Sequence, residues 1–234
     1  MTHITIRPSA ERGHSQIDWL DSRFSFSFAD YHDPAHMGFR SLRVINEDIV
    51  APDGGFPTHP HRDMEIITYV MSGAVAHKDS LGSGSVIVPG EIQKMSAGTG
   101  ILHSEFNPSS AEPLHLLQIW IIPATRGIAP SYAQKKIDEA AVAGRFGLIA
   151  SPEGGEHAVE LWQDAKIWLA KLAKGQSADF DLSPTRGAWA QIARGAVTLD
   201  GRALSAGDGA SWEEAGPVRF TATDDSEILL FDLG

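Results

Sequence analysis

Short apolar stretches recur about every ten residues and are separated by Gly, Pro, Asp, Asn and Ser, a rhythm typical of a β-sandwich or barrel. The strictest alternation is Phe-Ser-Phe-Ser-Phe at residues 24–28, which predicts a half-buried strand. Helical periodicity is weak, and residues 130–143 are the best candidate for a short helix or an extended linker. Further strands are predicted at residues 41–45, 65–71, 75–77, 85–88, 114–121, 167–172, 189–192, 196–199 and 228–232. The pattern predicts an all-β protein.

A weak internal repeat divides the chain into two halves. Gly73-Ala74-Val75 recurs as Gly195-Ala196-Val197. In the same order, residues 89–91 and 96–98 are echoed by residues 206–208 and 214–216. Chance likeness between glycine-rich hairpins is the alternative explanation, but the preserved order favours a true repeat. We predict a first domain at residues 1–135 and a second at residues 136–234, joined near residues 125–145.

Two short clusters contain the candidate chemistry. His59-Pro60-His61 comes first, and His103-Ser104-Glu105 follows later in the same half. Residues separated by one position point to the same face of a strand, so two adjacent strands would direct three imidazoles and one carboxylate to a common point. Such a donor set suits a divalent transition metal: iron, nickel, copper, manganese, cobalt or zinc. The alternative is that these are unrelated polar residues in loops.

The second half lacks an equivalent cluster. The repeat offsets assign Asp181 and Ser183 to the first cluster, and Thr221 and Thr223 to the second. His157 is the only histidine of that half. We therefore predict that only the first domain binds a metal.

Composition narrows the class of protein. The chain has 42% hydrophobic and 21% charged residues, which is ordinary for a globular protein with a core. It has no cysteine, so disulfides and thiolate ligands are excluded. The net charge of −11 argues against direct nucleic-acid binding. The N-terminal residues lack an apolar signal core, and no apolar run is long enough to cross a bilayer, so we expect a cytoplasmic protein without a membrane partner.

The two clusters lie within motifs that resemble those of a known family. Gly54, His59-Pro60-His61, Glu65 and Gly73 resemble the first cupin motif. Gly100, His103 and Asn107 resemble the second, although Gly98 replaces the usual proline. More specifically, the chain resembles the pirins, which are two-domain cupins. The matching stretches are residues 11–14, 26–29, 37–39, 58–65, 95–107 and 116–123. The likeness is dense over residues 11–125 and weak in the second half.

The resemblance implies a bicupin fold, in which two antiparallel β-barrels of the jelly-roll type follow one another. It also implies iron, as Fe(II), bound by three histidines and a glutamate, here His59, His61, His103 and Glu105. Other cupins use the first-motif glutamate, here Glu65, which lies about 13 Å from His61 along an unbroken strand. Glu65 could reach the metal only through a bend, so we favour Glu105 as ligand. Glu65 would then be a residue that orients a ligand or lies on the surface.

The implied function is that of a quercetin 2,3-dioxygenase, with a flavonol-like aromatic and dioxygen as substrates. Coordination of the substrate hydroxyl would lower its pKa, and Glu105 would accept the proton as the catalytic base. A rival hypothesis is a redox-sensing module that binds a protein partner, as a transcription cofactor does. A metal-dependent isomerase is a third, because a fold does not determine a function.

Other polar and aromatic residues are assigned structural roles first. We expect His77 to be a surface or packing residue and His115 to lie in the core or at its rim. Asn107 either orients a ligand or caps a turn. The phenylalanines at positions 24, 26 and 28 are expected in the core rather than in a substrate platform.

Overall fold

A computed structural model describes residues 2–234 of the chain. These residues form an almost wholly β structure, so the predicted all-β fold is confirmed. In the first half the strands are β1 (Thr5–Arg7), β2 (Gly13–Ile17), β3 (Leu20–Phe24), β4 (Leu42–Val50), β5 (Gly55–His61), β6 (Glu65–Ser72), β7 (Val75–Asp79), β8 (Gly84–Ile87), β9 (Glu91–Ser96), β10 (Ile101–Phe106), β11 (Leu114–Ile121) and β12 (Ser131–Lys136).

The second half continues the same pattern. Its strands are β13 (Gly147–Ser151), β14 (Val159–Glu160), β15 (Ala165–Leu172), β16 (Ser177–Leu182), β17 (Gly187–Arg194), β18 (Ala196–Leu199), β19 (Arg202–Ser205), β20 (Gly209–Trp212), β21 (Gly216–Ala222) and β22 (Ser226–Leu233). The helices are a 3-10 turn at Ser9–Glu11 and α1 (Glu139–Val142), which Asp138 caps by accepting from the Ala140 and Ala141 amides. Neither helical segment of residues 2–234 has the length and apolar character needed to cross a bilayer.

The chain forms two compact units. The first unit comprises residues 13–137 and 153–163, and the second comprises residues 2–12, 138–152 and 164–234. This division differs from a single boundary at residue 135. Residues 2–12 join the second unit because β1 pairs with β20. Residues 153–163 join the first unit, where the Ala124 amide donates to the Trp162 carbonyl.

Each unit contains a large and a small antiparallel sheet. In the first unit the orders are β12-β9-β6-β11-β4-β3-β2 and β5-β10-β7-β8. Valines and leucines from both sheets, such as Val75 and Leu116, share one buried cluster. In the second unit the orders β1-β20-β17-β22-β15-β13 and β16-β21-β18-β19 repeat the arrangement. The buried cluster there includes Trp212, Phe180 and Phe220.

The common strand order accounts for the internal repeat. β6 and β7 correspond to β17 and β18, and a glycine with positive φ joins each pair. Gly73 has a φ of 77° and Gly195 has a φ of 73°, a conformation that costs glycine little. The mapped positions Asp181 and Thr221 do not face each other, however. Thr221 lies opposite Ser177, and Asp181 lies opposite Pro217.

The predicted strand at residues 24–28 is wrong, because β3 ends at Phe24. Ser25 and Ser27 are buried rather than solvent-facing. The Ser27 amide donates to the His36 carbonyl, and its hydroxyl accepts from the Asp33 amide. The alternation of serine and phenylalanine therefore reflects buried serines with hydrogen-bond partners, not a strand with one solvent-facing side. The other predicted strands coincide with or overlap strands of the structure, and residues 130–143 contain β12 and α1.

Gly55 allows β5 and β10 to approach each other. A Cβ added at Gly55 would overlap the Glu105 carbonyl oxygen and lie 2.6 Å from the Phe106 Cα. We expect Gly55→Ala to lower the free energy of unfolding by about 1–3 kcal/mol, the usual cost of overpacking, as measured by urea denaturation. Gly84→Ala is the matched control, since its nearest atom would lie 3.9 Å away. Equal stability of the two variants would contradict this role for Gly55.

Candidate functional site

The pairing of β5 with β10 brings the three predicted histidines together. His103 lies directly opposite His59 in the register. Their Nε2 atoms are 3.0 Å apart, and the His61 ring centroid lies 4.8 Å from that of each of the other two. One ring nitrogen from each residue lies within 4.8 Å of the others. Three nitrogens thus converge on one point.

The environment keeps the imidazoles of His61 and His103 neutral. Burial, and then the neighbouring His59, lowers the pKa of His61 to about 4. Burial, and then the charges of His59, His61 and His77, lowers the pKa of His103 far below its usual value. The His59 Nδ1 donates to the Pro57 carbonyl at 2.7 Å, which leaves its Nε2 free to act as a ligand. The Nδ1 atom of His103 is buried without a hydrogen-bond partner. Three converging imidazole nitrogens, with His61 and His103 held neutral, fit a divalent transition metal.

Glu105 is buried beside this cluster, at 4% exposure. A carboxylate oxygen of Glu105 lies within 4.8 Å of ring nitrogens of His103 and His77. Its two oxygens accept hydrogen bonds from Thr68 Oγ1 at 3.3 Å and Gln118 Nε2 at 2.8 Å. Burial raises the pKa of Glu105 to about 7, although the Thr68 hydrogen bond opposes the shift. The group can therefore exchange a proton near neutral pH.

A register shift separates His103 from Glu105. Against β5, His103 faces His59 but Glu105 faces Phe56, which marks an irregularity between them. Against β7, Glu105 faces His77 without a break. No simple alternation of the sequence reveals this shift. Glu105 groups with His77 as well as with His103 because it faces His77 across the pairing of β10 with β7.

Glu65 lies on the other side of its strand. Glu65 and Thr68 are separated by an odd number of positions in β6, so their side chains project from opposite faces of the strand. Thr68 is on the face that contacts Glu105. Glu65 is fully buried, which makes the surface alternative wrong. It accepts from Ser96 Oγ at 3.0 Å and lies 3.9 Å from Lys94 Nζ. Its neighbours are therefore not the histidines.

A row of buried and partly buried polar side chains crosses the inner face of the large sheet. We define the polar row as Asn46, Gln118, Thr68 and Gln93, which lie opposite one another on β4, β11, β6 and β9. Thr68 and Gln118 hold Glu105, as described above. Gln93 Nε2 lies 3.2 Å from His77 Nδ1. This row was not predicted from the sequence. The feature that could have indicated it is a single amide or threonine within each of four mostly apolar strands.

A cavity of about 310 Å³ opens on these groups. His59, His61 and Glu105 line one part of it. The aromatic lining consists of Trp19, Phe24, Phe28, Phe56 and Trp120. Phe24 and Phe28 therefore face a cavity, whereas Phe26 is a core residue at 2% exposure. The cavity suits a planar aromatic ligand with one end at the histidines.

Comparisons with known proteins agree with this architecture. Residues 5–121 match the pirin family, and residues 148–233 match the quercetinase C-terminal cupin domain. The chain belongs to the pirin family. It is 47% identical over 231 residues to a protein of Escherichia coli K12 named quercetin 2,3-dioxygenase, covering 98% of both chains.

Solved structures of this family and fold are also similar. The bacterial pirin YhhW of Escherichia coli, in complex with nickel(II), has 45% identity and a TM-score of 0.93, with 99% of both chains covered. A quercetin 2,3-dioxygenase of Acinetobacter baumannii has 22% identity and a TM-score of 0.74, covering 94% of this chain and 83% of that one. The latter similarity supports the fold alone. The predicted pirin resemblance is confirmed.

His77, His115 and Asn107 of this pirin have structural partners. His77 is buried, stacks on Tyr132 at 4.9 Å and contacts Asp79 at 3.2 Å, so it is not a surface residue. His115 is a partly exposed rim residue, 2.9 Å from Glu47. Asn107 Nδ2 donates to the Glu112 carbonyl at 2.9 Å, and its Oδ1 accepts from the Ser109 amide. Asn107 therefore caps a turn.

Asp48 is a further buried carboxyl in the cavity wall. It is 3% exposed and accepts a hydrogen bond from Ser22 Oγ. Burial raises its pKa from 3.8 to about 6, although the Ser22 hydrogen bond opposes the shift. Between these values the folded protein holds a proton that the unfolded chain has released. The contribution of Asp48 to stability therefore falls as pH rises through this window.

The first prediction from this site concerns metal binding. We expect His61→Ala to lose most of its metal, because one of three converging nitrogens is removed. Elemental analysis of protein purified without added metal measures this. Glu65→Gln is the control and should keep the wild-type content, since Glu65 lies on the opposite face of β6. Full stoichiometry in His61→Ala would refute the ligand assignment.

The second prediction concerns pH. From pH 4 to pH 7 the wild type should lose on the order of 3 kcal/mol of unfolding free energy that Asp48→Asn keeps, because the variant lacks a carboxyl whose pKa is raised by about two units in the folded state. Urea denaturation of the metal-free proteins at both pH values measures it. Glu153→Gln, which removes an exposed carboxylate, should show no such difference. Parallel pH profiles for wild type and Asp48→Asn would show that Asp48 does not keep its proton in the folded state.

Proposed function

We propose that this chain is a metal-dependent dioxygenase that cleaves a flavonol such as quercetin at a mononuclear site formed by His59, His61, His103 and Glu105. The main support is the convergence of three imidazoles beside a buried carboxyl, with His59, His61 and Glu105 lining an aromatic cavity. The 47% identity to a protein named quercetin 2,3-dioxygenase supports the substrate class. The nickel(II) complex of a similar pirin supports the binding of a divalent transition metal by this chain.

A bound divalent metal would supply Lewis acidity that lowers the pKa of the flavonol 3-hydroxyl. We assign iron or nickel, since imidazole nitrogens with one carboxylate suit both. The chain's own residues do the rest. Glu105, with a pKa near neutrality, accepts the hydroxyl proton at a carboxylate oxygen. Thr68 and Gln118 hold that carboxylate in place from the opposite sheet.

The aromatic wall positions the substrate and excludes water. Trp120 stands edge-on to His61 at 5.0 Å and to Phe28 at 5.3 Å. Trp19 stands edge-on to Phe56 at 5.0 Å. Rings fixed in this way offer faces and edges to a planar ligand at little cost in conformational freedom. The cytoplasmic location and the absence of a nucleic-acid partner stay predictions.

Glu105→Gln tests the base separately from the metal. The amide has nearly the same size but cannot accept the substrate proton, so we expect turnover to fall about 10²-fold or more while part of the metal is retained. Loss of quercetin absorbance and oxygen uptake should be followed together, because flavonols also autoxidise. Glu65→Gln serves as the control and should keep its turnover.

The proposal fails if the wild-type protein, loaded with each metal in turn, consumes oxygen no faster with quercetin than the free ions do. A screen for protein partners would then replace the substrate screen, because the same site would better fit a redox-sensing module.

A further inference from the structure

Two inward positions of β4 are polar without serving the proposed reaction. Asn46 and Asp48 are each 3% exposed, and both line the cavity. Val44 and Val50, on the same face of the strand, are buried apolar residues. An inward polar pair is costly in such a strand unless it has partners.

Asn46 lacks such a partner for its acceptor. Its Oδ1 is buried and has no hydrogen-bond partner among residues 2–234. Its neighbours in the sheet are Phe24 on one side and Gln118 on the other. Gln118 is already engaged with Glu105 at 2.8 Å. Asn46 thus ends the polar row with an unused acceptor at the cavity.

Trp120, two residues along β11 from Gln118, adds an unused donor. Its Nε1 is buried without a partner, and its ring lines the same cavity. Asp48 adds a carboxylate that accepts only from Ser22 Oγ among its identified hydrogen bonds. Buried polar atoms in a native fold are almost always paired, and a ligand in the cavity with matching atoms would pair these groups.

The chemistry of that ligand follows from the groups. The two acceptors on β4, one of them a carboxylate, require hydrogen-bond donors on the ligand and disfavour an anionic substituent. Asn46 is one strand away from Gln118, which contacts Glu105, so these donors must lie at least about 5 Å beyond the group at the metal centre. Phenolic hydroxyls on an extended aromatic ligand meet both conditions.

We propose that Asn46 and Asp48 determine specificity by accepting hydrogen bonds from phenolic hydroxyls remote from the ligand's metal-binding oxygen. The cavity then selects polyhydroxylated aromatics over analogues that lack these hydroxyls. The proposal rests on the proposed function only for the placement of the metal-binding end.

Quercetin and 3-hydroxyflavone provide the test. Both present a 3-hydroxyl and a 4-carbonyl to a metal, but only quercetin carries hydroxyls elsewhere. Binding to the nickel-loaded protein is measured without dioxygen, by quenching of tryptophan fluorescence. The readout is the ratio of the two dissociation constants in wild type and in each variant, which cancels differences in ligand hydrophobicity.

We expect wild type to prefer quercetin and Asn46→Leu to reduce that preference about tenfold, as the loss of one buried hydrogen bond predicts. Asp48→Asn, which keeps its shape but loses its charge, should reduce it less. Ile49→Val is the matched control, because Ile49 lies on the outward face of the same strand and is 45% exposed. If Asn46→Leu fails to fold, as judged by near-UV circular dichroism, Asp48→Asn decides the question.

The outcomes separate the two proposals. No quercetin preference in wild type, or an unchanged preference in both variants, overturns the specificity assignment even if quercetin is turned over with oxygen. A reduced preference in the variants supports the assignment even if no flavonol is turned over, in which case only the dioxygenase proposal fails.

Discussion

The antiparallel register of β5 and β10 is the constraint on which the site depends. It sets His103 opposite His59 and directs His61 to the same point. Because side chains alternate along a strand, a slip of one residue would turn all of them to the other face. Gly55, which lies against the Glu105 backbone without a side chain, allows the close pairing. The chemistry of the site is therefore a consequence of strand pairing rather than of any flexible loop.

Concentrating these groups in a buried place has an electrostatic cost. Burial lowers the pKa values of His61 and His103 and raises those of Glu105 and Asp48. Each shift favours the neutral form, because charge is poorly solvated there. The polar row offsets part of this cost by holding Glu105 and His77. Buried titratable groups with shifted pKa values are typical of functional sites, where their electrostatic cost is retained because the chemistry needs those pKa values.

The two units have the same strand order but different side chains in their interiors. In the second unit, Phe180 and Phe220 fill the interior together with Trp212, and Asp179 forms an ion pair with Arg219 at 2.7 Å. Both groups of residues close enough to hold a metal, among residues 2–234, lie in the first unit. The fold is thus a scaffold, and the inward residues of a few strands decide whether a unit has a core or a cavity.

The sequence by itself determined the all-β class, the repeat and the convergence of His59, His61 and His103, because strand alternation and ligand spacing are local properties. Tertiary structure decided the rest. The end of β3 at Phe24 depends on the hydrogen-bond partners of Ser27 in the following loop. β1 pairs with β20, although the two strands lie near opposite ends of the sequence. The polar row aligns residues from four strands, and Glu105 faces His77 because β10 pairs with β7. Such contacts join residues far apart in sequence, and no local pattern encodes their pairing.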